Sequence, residues 1–143
     1  MPAAPRRRWG SFATTADMGL WATGSTPAAL FEALGLGLTA LTTDLRTVRP
    51  RALEEVAVRG VDPESLVVAW LGALLQLEQS SGFLARRLEV RLAGAPPTSL
   101  AARVWGEPFD PGRHPRRVEV KAATYHRLRV DLARGRARVI VDI

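Results

Sequence analysis

Both histidines, the only lysine and the only tyrosine of this chain fall in one segment, Gly106 to His126. It opens Gly106-Glu107-Pro108-Phe109-Asp110-Pro111-Gly112-Arg113-His114 and closes Glu119-Val120-Lys121-Ala122-Ala123-Thr124-Tyr125-His126. Of the 20 basic residues only one is lysine, leaving 20 − 1 = 19 arginines, so Lys121 suits a place that uses an ammonium rather than a guanidinium. Glu107, Asp110 and His114 read as a loop between two strands, with Asp110-Pro111-Gly112 as a turn. Loops held by rigid strands commonly carry recognition groups. Lys121 and His126 point to opposite faces of a regular strand and share a site only if the chain bends between them. His126 has the chemistry of a general base, but no Ser or Cys nucleophile motif accompanies it. No phosphate-cradling glycine loop is present, since Gly35-Leu36-Gly37 falls inside a helical pattern.

A second group of oxygens lies at the chain end. Asp142 and the α-carboxylate of Ile143 are adjacent anions on a strand, and Asp17 sits in a polar loop before the first strand. Brought together, three carboxylates repel and call for a cation, and a hard divalent ion takes such a ligand set. From composition alone the simpler reading is a hydrated, frayed chain end and a turn residue.

The chain has 143 residues, enough for one domain with a real core, and 47% apolar with 24% charged residues fits a globular protein. It has no cysteine, which excludes a disulfide framework, a thiolate nucleophile and Cys-based zinc sites, and two histidines alone cannot complete a zinc site. No apolar run reaches the length of a membrane span and no signal core follows the basic start, so the expected compartment is the cytoplasm, with no membrane partner. The net charge of +6 permits contact with RNA or an acidic surface.

Residues 1–10 read as a flexible basic tail and residues 11–143 as a single domain. A short strand is expected over Met18–Thr23. Thr26-Pro27 then starts a helix carrying Leu30, Leu34, Leu38, Leu41 and Leu45 on one face. Gly35 and Gly37 within it indicate close packing or a weak helix. A strand over Ala52–Arg59 precedes a second helix, capped by Asp62 and ending near Gly82, whose stripe includes Leu66, Trp70, Leu71 and Leu74. The period then becomes two, through Leu88-Val90-Leu92, Leu100-Ala102-Val104, Val118-Val120-Ala122, Leu128-Val130-Leu132 and Ala137-Val139-Val141. The expected fold is α+β: β-α-β-α followed by about five mostly antiparallel strands, with sheets packed on two helices.

Taken in order, these pieces resemble the archease family over nearly the whole chain, from about Phe12 to Ile143. The matching motifs are Thr15-Ala16-Asp17-Met18-Gly19, Leu41-Thr42-Thr43-Asp44, Val68-Ala69-Trp70-Leu71, the Gly106–His114 and Glu119–His126 stretches, and the closing Val139-Ile140-Val141-Asp142-Ile143. The resemblance implies a small α+β accessory protein, not itself an enzyme, that activates the RtcB-type tRNA-splicing RNA ligase by promoting transfer of a guanylyl group from GTP to the ligase's histidine. It also implies a chaperone-like link to a tRNA methyltransferase, with tRNA met mainly through the partner. It further implies a divalent ion, usually calcium, held by the positions that match Asp17, Asp142 and Ile143. Glu107, Asp110, His114, Lys121 and His126 are then candidates for the surface that meets the ligase. One departure stands out: Thr14 occupies a position where the family commonly has histidine.

Two other classes remain open on the residues. A metal-dependent phosphoester hydrolase would use the carboxylate-bound ion with His126 and Lys121. A general RNA-binding or holdase module would use the positive charge. The aromatics are few and Trp70 lies on a core face, so no base-stacking platform is evident.

Overall fold

Local capping sets both helices of the computed structural model, which describes residues 7–14 and 17–143. Thr26 is extended and its hydroxyl accepts the Ala29 N–H at 3.1 Å, opening α1 (Pro27–Thr42) with proline in the first turn. Asp62 and Ser65 close a reciprocal capping box at the start of α2 (Pro63–Ser81), and Gly82, left-handed at φ 71°, stops it. No helix of the described residues is long and apolar enough to cross a membrane.

The strands form two antiparallel sheets. In the larger, β1 (Trp9–Ala13) pairs with β2 (Met18–Thr23), which pairs with the last strand, β8 (Arg136–Asp142). The far edge of β8 is shared by two short strands, β6 (Ala122–Ala123) and β7 (Arg129–Asp131). The smaller sheet has the order β3 (Ala52–Arg59), β5 (Ser99–Pro108), β4 (Phe83–Ala93). The fold is α+β, as the patterning predicts.

α1 is buried nearly all round because it touches both sheets, and its two glycines show how. A Cβ on Gly35 would lie 2.5 Å from the Leu88 side chain in β4, while one on Gly37 would lie 2.7 Å from Leu20 in β2 and 2.9 Å from Trp9 in β1. The glycines therefore mark close packing on opposite sides, at a cost of roughly 1 kcal/mol each in helix propensity. The two helices are joined by a buried hydrogen bond from Trp70 Nε1 to the Phe31 carbonyl at 2.8 Å. Complete burial of Trp70 and Phe31 is worth roughly 2–3 kcal/mol apiece.

Three expectations are corrected. Trp9 and Gly10 belong to β1 rather than to a basic tail, because Trp9 packs onto Gly37; residues 1–6 of that expected tail lie outside the described residues. The alternating run at Val118 and Val120 is no strand. The N–H groups of Arg117 and Val118 donate to the carbonyls of Thr42 and Leu41 at 2.9 and 3.0 Å, so this segment satisfies the open end of α1 instead of a ladder. Only Ala122 and Ala123 join β8. Glu107, finally, lies within β5 and is buried, not in the loop that follows.

Candidate functional site

The outward face of the larger sheet carries the first group of candidate residues. Leu20, Ala22, Ala137, Val139 and Val141 face the helices and are buried. By alternation, Asp17 and Asp142 share the opposite face. The β2–β8 register ends with Met18 paired to Val141, so Asp17 and Asp142 are each one residue beyond the last pair. Strands from the two ends of the sequence thus meet. Asp17 is half-buried and Asp142 exposed, and among the described residues neither carboxylate has an Arg or Lys partner. Ile143, 45% exposed, follows directly.

Thr14 holds the loop before β2. Its hydroxyl accepts the Asp17 N–H at 3.0 Å and donates to the Asp17 carbonyl at 2.9 Å. A threonine in this place fixes the backbone of Asp17 and adds no group that titrates near neutrality. Thr15 and Ala16 lie outside the described residues.

Lys121 and His126 do not lie on one strand. Pairing with β8 ends at Ala123, Thr124 donates both its N–H and its hydroxyl to the Ile140 carbonyl, and a turn closes from Tyr125 to Leu128 with Arg127 at φ 52°. This break sends His126 to the outward face, where it lines a cleft of about 750 Å3 together with Asp17, Thr14 and Phe12. The exposed Lys121 stays beside the chain end, its N–H donating to the Asp142 carbonyl at 2.8 Å.

The remaining candidates, Glu107, Asp110 and His114, gather at the end of β5 in the other sheet. Glu107 and His114 are buried, at 5% and 1% exposure. His114 Nδ1 accepts the Asp110 N–H at 2.8 Å, which leaves the ring proton on Nε2 to donate to Glu107 at 3.0 Å. The Glu107 carboxylate also accepts the Arg49 N–H at 2.7 Å and pairs with Arg113 at 2.5 Å. Burial alone would raise the Glu107 pKa, but Arg113, the Arg49 N–H and His114 overcome it and pull the value from 4.5 to about 2. The Glu107 carboxylate and both His114 ring nitrogens have partners inside the protein, so these two buried groups offer nothing to an outside surface. Asp110 is exposed, and its side chain accepts the Gly112 N–H at 2.9 Å.

Among the described residues no three His, Asp or Glu side chains are grouped as a metal ligand set. Asp17 and Asp142 are still the oxygen donors a hard cation takes, with the main chain as a source of further oxygen.

Comparison with known proteins bears on the family and the fold. The archease protein family (MTH1598/TM1083) matches residues 9–143. A protein named archease from Thermococcus gammatolerans is 38% identical over 126 residues, covering 87% of this chain and 89% of the relative. Its namesake from Pyrococcus abyssi is 33% identical over 141 residues, covering 96% and 99%. The solution structure of Methanobacterium thermoautotrophicum protein 1598 superposes with a TM-score of 0.81 at 29% identity, covering 96% of this chain and all of that one.

Proposed function

The chain belongs to the archease family, and on that premise we propose that it is a non-catalytic, cytoplasmic accessory factor that activates an RtcB-type tRNA-splicing RNA ligase by promoting its guanylylation. The observation that carries this reading is the pairing of β2 with β8, whose last pair, Met18 with Val141, leaves Asp17 and Asp142 one residue beyond it, neither with an ion pair among the described residues. Asp17, Asp142 and the α-carboxylate of Ile143 hold a divalent ion, calcium above all, through oxygen atoms alone. When bound, the ion supplies charge neutralisation and a fixed end to β8. The protein's own residues do the rest. Thr14 fixes the Asp17 backbone, and His126 and the exposed Lys121 flank the acidic pair as contacts for the ligase or its nucleotide. A tRNA methyltransferase is a second client of the same face, with tRNA approaching chiefly through the partner.

The test is a guanylylation assay with the host's ligase at limiting accessory protein. Asp142→Ala is expected to abolish stimulation while the protein keeps its melting behaviour. Undiminished stimulation by that variant refutes the reading. Incubation of the protein alone with phosphoesters and divalent ions is expected to give no turnover; turnover without ligase would favour a hydrolase.

A further inference from the structure

The outward face of the larger sheet extends well beyond the acidic pair, and its remaining rows have a different chemistry. One row crosses four strands in register: Gly10, Trp21, Arg138 and Arg129. The row between it and the acidic end is Phe12, Gly19 and Ile140. Both glycines lie under aromatic rings. A Cβ on Gly10 would meet the Trp21 indole at 2.5 Å, and a Cβ on Gly19 would fall 2.0 Å from the Phe12 ring. Each ring therefore occupies the space that a side chain at the neighbouring glycine would fill. The Arg138 guanidinium covers Phe12 at 4.3 Å from the ring centroid, while Trp21 is half-buried and borders a second cleft of about 810 Å3. That cleft and the one beside Asp17 share Phe12, Leu128, Arg129 and Arg138, so they form one groove.

The charges along this groove are ordered. Asp17 lies at one end and Glu64 at the other, Asp131 is paired with Arg134 at 3.8 Å, and the shared middle is lined by arginine without acid. Arg127, Arg129, Arg136 and Arg138 have no carboxylate partner among the described residues. A cluster of like charges left unpaired beside flat π-surfaces matches a ligand that alternates anions with stacking rings. An acidic peptide would meet the arginines but leave the aromatic surface unused. A duplex would hide its base faces.

We propose that this groove binds single-stranded RNA. Trp21 and the Arg138 guanidinium stack bases, and Arg127, Arg129 and Arg136 pair with phosphates. Known RNA-binding modules stack bases on rings carried by a sheet face; here Trp21 supplies the ring and Arg138, over Phe12, a guanidinium plane. The inference stands on this face alone and does not need the ligase-activation reading, because binding is measured with no ligase present.

The experiment titrates the full chain into a fluorescein-labelled ten-nucleotide single-stranded RNA and reads anisotropy at several salt concentrations. Trp21→Ala is expected to weaken binding roughly 10-fold, and Trp21→Phe to retain most of it. Arg129→Ala and Arg127→Ala, both at exposed positions, are expected to lower the magnitude of the log–log salt slope by about 0.7 each. Arg103→Ala, on the smaller sheet with the same change in net charge, is expected to change nothing. If Trp21→Ala fails to fold, the two arginine variants decide. Indifference to both arginine changes, an equal loss with Arg103→Ala, or competition by polyglutamate or duplex RNA as effective as by single-stranded RNA would overturn the proposal.

Discussion

The molecule holds two carboxylate-rich clusters that differ in one respect. Around Glu107 each polar atom is matched inside the protein: Arg113, His114 and the Arg49 N–H surround a buried carboxylate. Asp17 and Asp142 each lie one residue beyond the last pair of β2 with β8, Met18 with Val141, and neither has an ion pair among the described residues. The first fixes the segment after β5 in place. The second has no ion pair within the chain among the described residues. Residue type alone does not separate them, since both are built of the acids and loop residues that suggest chemistry in a sequence. What separates them is whether the partner is internal.

Substitution of each cluster in turn breaks or sharpens that contrast. The largest expected effect is on function. Asp142→Ala should remove stimulation of the ligase and, with calcium absent, leave stability within about 0.5 kcal/mol, because an exposed acid without an ion pair contributes little to the fold. The reverse holds for Glu107→Ala. Removing one member of a buried charged cluster should cost about 3 kcal/mol, seen as a melting temperature roughly 10 °C lower, with stimulation per folded molecule unchanged. Finding both properties lost together in either variant would erase the distinction.

Calcium provides the next test. At a concentration about 100 times its dissociation constant it should stabilise the protein by about 2.7 kcal/mol, and Asp17→Asn should abolish that gain while Glu107→Gln keeps it. Acid provides another. The Glu107 carboxyl has a folded pKa near 2 against an ordinary 4.5, so its stabilisation is complete above about pH 4.5 and is lost as pH falls from there toward 2. In Glu107→Gln the stability curve over that window should be flatter, read by urea melts at successive pH values. The smallest effect is expected for Thr14→Ala. Loss of the hydroxyl that bridges the Asp17 N–H and carbonyl should cost about 1 kcal/mol or less and weaken calcium binding only modestly.

Local signals carried much of the fold. Thr26-Pro27, Asp62 and Gly82 mark helix ends through hydrogen bonds made within a few residues, so their meaning survives without knowledge of the neighbours. Ala52–Arg59 was legible as a strand from alternation, with Val56 and Val58 on one face, although its hydrogen bonds go to the distant β5. Alternation was less dependable elsewhere. At Val118 and Val120 it reports burial on one side, while the backbone N–H groups nearby go to the end of α1. Trp9–Ala13 escaped because its short run has no internal pattern strong enough to outweigh the basic residues before it.

At the candidate sites the sequence determined the inventory: which acids, which histidines, one lysine, and the family motifs that contain them. It also determined which of two faces each strand residue shares with its neighbours, since that follows from a period of two. Only the tertiary structure decided which face meets the helices and which meets solvent, and so that Trp21 and Phe12 lie outside while Leu20 lies within. It alone decided that Asp17 and Asp142 each lie just beyond the last pair of β2 with β8 and that Glu107 meets Arg113 and His114. Register between distant strands and the burial of a charge depend on the packing of the whole chain, and no short stretch of residues encodes either.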